Sequence, residues 1–179
     1  MTSPAKGQPV DLPADQGFKD AMRRLAGTVT VVTVGRGDER HGTTATAVTS
    51  LSMNPPSLLV CFNRDSRLHG LLSAADTFCV NVLHTDNVDV SKLFSSPVTS
   101  AERFAGGHWA SAAEGAPFLE NAQSSIQCAK DQQIDYGTHT IFIGRVLSVR
   151  NRDEIAPLVY CNGSYVRTAD LSKPKKKPG

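Results

Sequence analysis

HGTTATAVTSLSMNPPSLLVC, residues 41–61, decides the architecture, because small hydroxylated residues alternate with apolar ones before a double proline and a second apolar run. Alternation with a period of two is a strand signal, and Pro55-Pro56 punctuates it, so the stretch reads as two strands joined by a turn. If the alternation runs unbroken, Thr44, Thr46 and Val48 face one side and Ala45, Ala47 and Thr49 the other. Side chains this small leave the backbone within reach of a flat ring system. Gly42 and the hydroxyls of Thr44, Thr46, Ser50 and Ser52 add donors of the kind an anionic group needs. A flat, anionic cofactor of the flavin type suits such a surface, and an ordinary Thr/Ser-rich hairpin is the alternative.

Upstream, TVTVVTV at Thr28–Val34 is a β-branched strand, turned by Gly35–Asp38. Before it, Asp15 is placed to cap a helix whose Phe18, Met22 and Leu25 fall on one face, with Gly27 as its stop. Downstream the pattern predicts a strand at Ser57–Phe62, a helix at Asp65–Ala75, a strand at Thr77–Leu83 and a short helix at Val88–Phe94. Ser95–Glu120 reads as irregular, and strands follow at Ser124–Lys130, His139–Val149 and Leu158–Cys161. Strands outnumber helices and several are consecutive. This argues against a doubly wound parallel sheet and for a mainly β (α+β) fold, an antiparallel barrel with peripheral helices. A glycine-rich phosphate turn at a helix start is absent, so any flavin or nicotinamide must be held by strand edges and loops.

Composition sets the limits. A chain of 179 residues with 40% hydrophobic content is large enough for one domain with a full core. The net charge of +2 is misleading, because Lys173, Lys175, Lys176 and Lys177 crowd the end. Removing these four from 19 basic residues leaves 15 against 17 acidic ones. The body is near neutral, which removes the main support for nucleic-acid binding. The expected organisation is a disordered lead-in at 1–14, a domain at 15–168 and a basic disordered tail at 169–179. Cys61, Cys79, Cys128 and Cys161 are far apart, lack metal or redox spacing and sit in apolar segments, so reduced, mostly buried thiols and no metal are expected. With neither a signal peptide nor an apolar run of spanning length, the expectation is a cytoplasmic protein without a membrane partner.

Seven motifs in register extend this reading. FKDAMRRLA from Phe18, the TVTVVT strand, GTTATAVTSLSMNPPSLLVCFNRDSRLH, FCVNVL, ERFAG, GTHTIFIGRV and LVYCNGSY together resemble the flavin reductase component of two-component flavin-dependent monooxygenases, over residues 17–166. The resemblance implies an FMN-binding-like split barrel and a homodimer. It implies reduction of FMN or FAD by NADH or NADPH, with reduced flavin released to a partner oxygenase. A flavin- or haem-binding storage or electron-transfer module on the same barrel is the competing reading.

The resemblance also implies site residues. Thr44, Ala45, Thr46 and Ala47 would lie against the isoalloxazine, where backbone N–H groups could reach N5 and O4. Ser50 and Ser52 would approach the ribityl chain and phosphate, or be solvated turn residues. Cys61, Phe62 and Asn63 would close the site, Asn63 having both a donor and an acceptor for a pyrimidine-like edge. Ser66 and Arg67 resemble phosphate contacts. Arg103 and Phe104 would belong to a covering loop, Arg103 pairing with a cofactor phosphate and Phe104 packing on the cofactor. The glycines of Gly106-Gly107-His108-Trp109 would supply flexibility for flavin exchange. Tyr160 and Tyr165 would flank the nicotinamide or the flavin edge. His139 is the candidate for positioning the nicotinamide during hydride transfer. The family often has Gly-Asp-His where this chain has Gly137-Thr138-His139, so a carboxylate is missing beside it.

Overall fold

The β-branched run and the hairpin signals build an antiparallel sheet of seven strands. The computed structural model describes residues 12–111 and 115–172; the greater part of the expected lead-in and the four terminal lysines lie outside the described residues. Helix α1 (Ala14–Arg23) precedes β1 (Gly27–Thr28) and β2 (Thr30–Val34). Then come β3 (His41–Ala45), β4 (Val48–Met53), β5 (Pro56–Asn63), α2 (Arg67–Ala74) and β6 (Thr77–Val82). After α3 (Val88–Ser95) and α4 (Ser100–Ala105) follow β7 (Trp109–Ser111), β8 (Pro117–Leu119), β9 (Ser124–Tyr136), β10 (His139–Asn151), β11 (Val159–Cys161) and β12 (Ser164–Val166). The large sheet runs β3-β2-β6-β9-β10-β5-β4, with every pairing antiparallel.

The quoted stretch contributes both edges of that sheet. β3 pairs with β2 and β4 with β5, and only Thr46 and Ala47 separate the edges along the chain. The expected unbroken alternation therefore stops at Thr46-Ala47, where the backbone crosses from one edge toward the other and Cys61 N donates to Ala47 O at 3.0 Å. The sheet curls until its edges are two residues apart, without a hydrogen-bonded ladder between them. A mainly β fold with peripheral helices is what the structure shows.

Val29 divides the expected TVTVVTV strand. Its N–H donates to Leu158 O and its carbonyl accepts from Leu83 N, so β1 leaves the large sheet and pairs with β11 in a second sheet, β1-β11-β12. All five residues of β2 are buried. The main core joins Val32, Val60, Leu68, Leu72, Phe78 and Phe142, each fully buried. A second core gathers Phe94 and Phe104 around Trp109, with ring centroids 5.0–5.2 Å apart. One buried polar side chain ties several elements together. Asn81 donates to Val31 O at 3.1 Å and accepts from Leu119 N at 2.8 Å and Ser125 Oγ at 3.0 Å, satisfying a side chain with no solvent exposure.

Several expectations need correction. α1 ends at Arg23, before Gly27, and buries none of its residues; Phe18 and Leu25 are each 63% exposed. Asp15 sits inside the first turn, and Pro13 occupies the cap position without a side-chain bond. The 95–120 segment is not irregular, since it holds α4, β7 and β8. β9 and β10 are 13 residues each, longer than expected, because the hairpin continues past the core to the Gly137-Thr138 turn. β12 was not anticipated; Asn162 (φ 48°) and Gly163 (φ 81°) form the tight turn that pairs it with β11.

Candidate functional site

The expected residues fall into three groups, one at the Thr46-Ala47 crossing, one at the end of β5, and one of cationic side chains that includes Arg67 at the start of α2. The first surrounds the crossing. Thr44, Ala45 and Thr46 line a cavity of about 300 Å³ with Val29, Tyr160 and Tyr165, and with Ser91 and Ser95 of α3. Tyr165 Oη lies 2.9 Å from Ser91 Oγ, and the two tyrosine rings meet edge-on at 5.5 Å. Gly27 is a glycine for reasons of space here, since a Cβ on it would stand 2.9 Å from Thr46 Cβ. Thr46, Ala47 and Tyr160 also border an adjoining groove of about 540 Å³, whose far wall is Met22 and Leu25. Met22 of α1 and Leu25 just beyond its end thus border this region instead of the core.

The second group gathers at the end of β5. Strand alternation makes Cys61 half-buried, Phe62 buried and Asn63 exposed. Asn63 stands opposite His139 in the β5–β10 ladder, and Arg64 N donates to Thr138 O at 2.9 Å. Asn63 Oδ1 accepts from Asp65 N at 2.9 Å, and Ser66 caps α2 by accepting from His69 N at 3.3 Å. Thr140, fully buried, donates to Asp135 Oδ1 at 2.6 Å, and His69 Nε2 lies 2.8 Å from the same hydroxyl. This chain pins α2 to β10, so that Asn63, Ser66, Arg67 and His139 share one end of the sheet. Thr138 stands where the resemblance implies a carboxylate, with its hydroxyl 2.9 Å from His139 Nδ1.

The third group is cationic. His41, 6% exposed, has a buried Nδ1 without a partner, and Arg103 has a buried Nε in the same condition. Burial first, then the charges of Arg103 and Arg67, lower the His41 pKa from 6.5 to about 4. Burial and the charge of Arg67 also lower that of Arg103. The ion pairs among the described residues lie elsewhere and involve neither Arg40, Arg67 nor Arg103. Uncompensated guanidinium charge beside buried, unpaired nitrogens is an environment that fits an anion such as a flavin phosphate.

Phe62, Phe104, Ser50 and Ser52 contribute no open surface to these groups, and Arg103 contributes charge alone. Phe62 belongs to the main core, and Phe104 has no open face for a cofactor, because Phe94 and Trp109 pack on it and the Arg40 guanidinium sits 4.6 Å from its centroid. Arg103 spends both fork nitrogens on backbone, Nη1 on Gly42 O and Nη2 on Ser96 O, each at 2.7 Å. It can lend charge to an anion but not a bidentate grip. Ser50 and Ser52 line another groove, of about 340 Å³, toward the opposite end of β5 from Asn63. The sequence reading missed His41, Ser91 and Ser95. The serines are four apart on α3 and therefore on one face, which was the available signal.

Comparison with known proteins identifies the family. The family model described as "Flavin reductase like domain" matches residues 22–169. The reductase component of an FADH(2)-dependent resorcinol hydroxylase from Rhizobium sp. (strain MTP-10005) is 46% identical over 152 residues, covering 84% of this chain and 85% of that protein. An FMN reductase (NADH), RutF, from Stutzerimonas stutzeri (strain A1501) is 39% identical over 150 residues, 84% of this chain and 86% of that one. Among solved structures, the Streptomyces globisporus C-1027 NADH:FAD oxidoreductase SgcE6, in complex with NAD and FAD fragments, superposes with a TM-score of 0.83 at 29% identity, covering 93% of this chain and 100% of the other. With its motifs in register, its curled sheet and a match over residues 22–169, the chain belongs to the flavin reductase like domain family.

Proposed function

We propose that the chain is an NADH-dependent flavin reductase that reduces FMN or FAD and releases it to a separate oxygenase. The observation that carries this reading is the Thr46-Ala47 crossing. There a backbone without bulky side chains opens onto the tyrosine-lined cavity, within one strand of the Asn63–His139 pair. Bound flavin supplies acceptance of a hydride at N5 from the nicotinamide. The chain's part is positional. Thr44–Ala47 would present backbone along the ring, Arg67 would face the phosphate with Arg103 adding charge, Ser66, its hydroxyl donating to Asn63 O at 2.8 Å, would hold the start of α2 beside that phosphate, and His139 would orient the nicotinamide beside Asn63. Tyr160 and Tyr165 bound the edge of the ring. Small side chains around the ring suit a flavin that is held only moderately, as one that must leave after reduction requires.

The same reading includes the closure of the curled sheet as a split barrel, a homodimer and a cytoplasmic supply of nicotinamide. Support for self-association comes from the groove lined by Val48, Met53, Leu58 and Val146, and from Met53, which is 85% exposed. Among the described residues no helix is long and apolar enough to cross a membrane. The test is anaerobic and aerobic NADH oxidation at 340 nm with FMN, FAD or riboflavin added in turn. Saturable oxidation that depends on free flavin is expected. Absence of oxidation with every flavin, by NADH and by NADPH, would overturn the reductase reading.

A further inference from the structure

At the start of β10 every second residue is buried, at Thr140, Phe142 and Gly144, and Thr140 alone of the three brings a polar side chain into the core. By shape a valine would fill that place, so the hydroxyl is what distinguishes the residue. Its Oγ1 donates to Asp135 Oδ1 at 2.6 Å, the short distance of a hydroxyl on a charged acceptor. A threonine hydroxyl has one proton. With that proton directed at the carboxylate, Thr140 can only accept from His69 Nε2, 2.8 Å away, which fixes the imidazole with its proton on Nε2. The His69 ring meets Phe142 edge-on with centroids 5.5 Å apart, so its plane is held as well. Arg64 stands at the far end of this relay, its Nη1 4.0 Å from Asp135 Oδ2.

The relay joins two segments that the backbone leaves separate. His69 lies in the first turn of α2, where its N–H donates to the Ser66 cap beside Arg67. Thr140 directly follows His139 in β10. The β5–β10 ladder sets His139 opposite Asn63, but α2 lies outside that ladder, and the hydrogen bond that ties it to β10 is the one from His69 to Thr140. A buried polar contact of this kind adds little net stability over an apolar pair, and what it supplies is a defined orientation. We propose that His69, Thr140 and Asp135 are positioning residues that couple the binding of the two substrates. A flavin phosphate seated at Ser66–Arg67 holds the first turn of α2 against Thr140, and Thr140 in turn fixes the adjoining His139 for the nicotinamide. The two states are this turn held against β10 and the same turn released. Coupling of this kind is reciprocal, so an occupied nicotinamide place tightens flavin binding by the same factor. The inference rests on the flavin-reductase reading for the identity of both ligands.

The experiment is calorimetric titration of the full chain with FMN, alone and with saturating NAD+, which occupies the nicotinamide place without turnover. NADH oxidation and urea unfolding are measured beside it. Thr140→Val removes the hydroxyl at nearly constant shape, His69→Phe removes the donor and keeps a ring on Phe142, and Thr140→Ser keeps the hydroxyl. Because the relay is cut at two different residues, a folding defect in one variant leaves the other to decide. In the parent chain NAD+ is expected to lower the Kd for FMN about fivefold, the low end of couplings between sites. In Thr140→Val and His69→Phe that factor should fall below about twofold while the Kd for FMN alone stays within about twofold of the parent, and Thr140→Ser should keep the parent's factor. A lowered urea midpoint with the factor intact would make the relay a structural bridge and overturn the proposal. Variants that lose FMN binding equally with and without NAD+, or a parent in which NAD+ leaves the Kd for FMN unchanged, would also overturn it. A parent that shows the coupling yet oxidises no NADH would refute the reductase reading while leaving the relay standing.

Discussion

At the residue scale, His41 shows how burial converts an ordinary side chain into a pH-dependent element. Its pKa of about 4 lies below the 6.5 of an unfolded histidine, so between these values the unfolded chain takes up a proton that the folded chain excludes. The stability from keeping His41 neutral is complete above pH 6.5 and is lost as the pH falls toward 4. The loss should reach at most about 3 kcal/mol. Urea unfolding at pH 7 and pH 4.5 should therefore show a smaller acid loss in His41→Gln than in the parent, and identical losses would remove His41 from the account. His139 calls for a different readout. If it positions the nicotinamide, His139→Ala should raise the KM for NADH about tenfold, as for a lost contact, and leave the Kd for flavin nearly unchanged. A variant that loses flavin binding instead would place His139 on the flavin side. His139 could be nominated from its motif. His41 could not, because what distinguishes it is the distant Arg67 and Arg103, which no local pattern reveals.

At the element scale, the long β9–β10 hairpin sets the geometry of the site, and its packing allows little change. A Cβ on Gly144 of β10 would stand 2.4 Å from Phe78 Cζ and 2.9 Å from Cys128 Cβ, and both residues are fully buried. Gly144→Ala should therefore cost about 1–3 kcal/mol of stability in denaturant titrations, as overpacking does. The glycines after α4 carry a related lesson. Read alone, Gly106 and Gly107 suggest a flexible hinge, but a Cβ on Gly106 would meet Leu93 Cδ2 at 2.5 Å, and Gly107 has φ 92°. Gly107→Ala is expected to lower the unfolding free energy by about 1–2 kcal/mol, the cost of a left-handed alanine, so a change in flavin exchange in that variant must be compared with its thermal midpoint. Two missed elements had usable signals. Thr99 and Glu102 form the capping box that starts α4, with Thr99 N donating to Glu102 Oε2 at 2.8 Å, and Asn162-Gly163 marks the β11–β12 turn. Neighbouring glycines and prolines make the surroundings of both resemble loop.

At the scale of the whole molecule, the seven-stranded sheet leaves exposed apolar surface near its β4 edge, including Leu51 and Met53, and on α1 at Phe18 and Met22. If the groove beside Met53 is where two copies meet, Met53→Glu should convert a dimer to a monomer in light scattering at micromolar concentration, and an unchanged mass would exclude that edge. Local pattern by itself determined the longer strands, the helices before and after β5 and at 88–95, the antiparallel class and the family, because period-two alternation, β-branched runs and seven ordered motifs are properties of neighbouring residues; it did not reveal β7, β8, β12 or α4. Only the tertiary structure decided that Thr46-Ala47 bridges the two sheet edges, that Phe62 and Phe104 turn inward, that Ser50 and Ser52 face another groove, and that His41 joins Arg67 and Arg103. These outcomes depend on which strands become partners and how the sheet curls. Burial and electrostatic field arise from that long-range packing, where residues 60 positions apart come into contact, as Arg103 does with Gly42, 61 positions away.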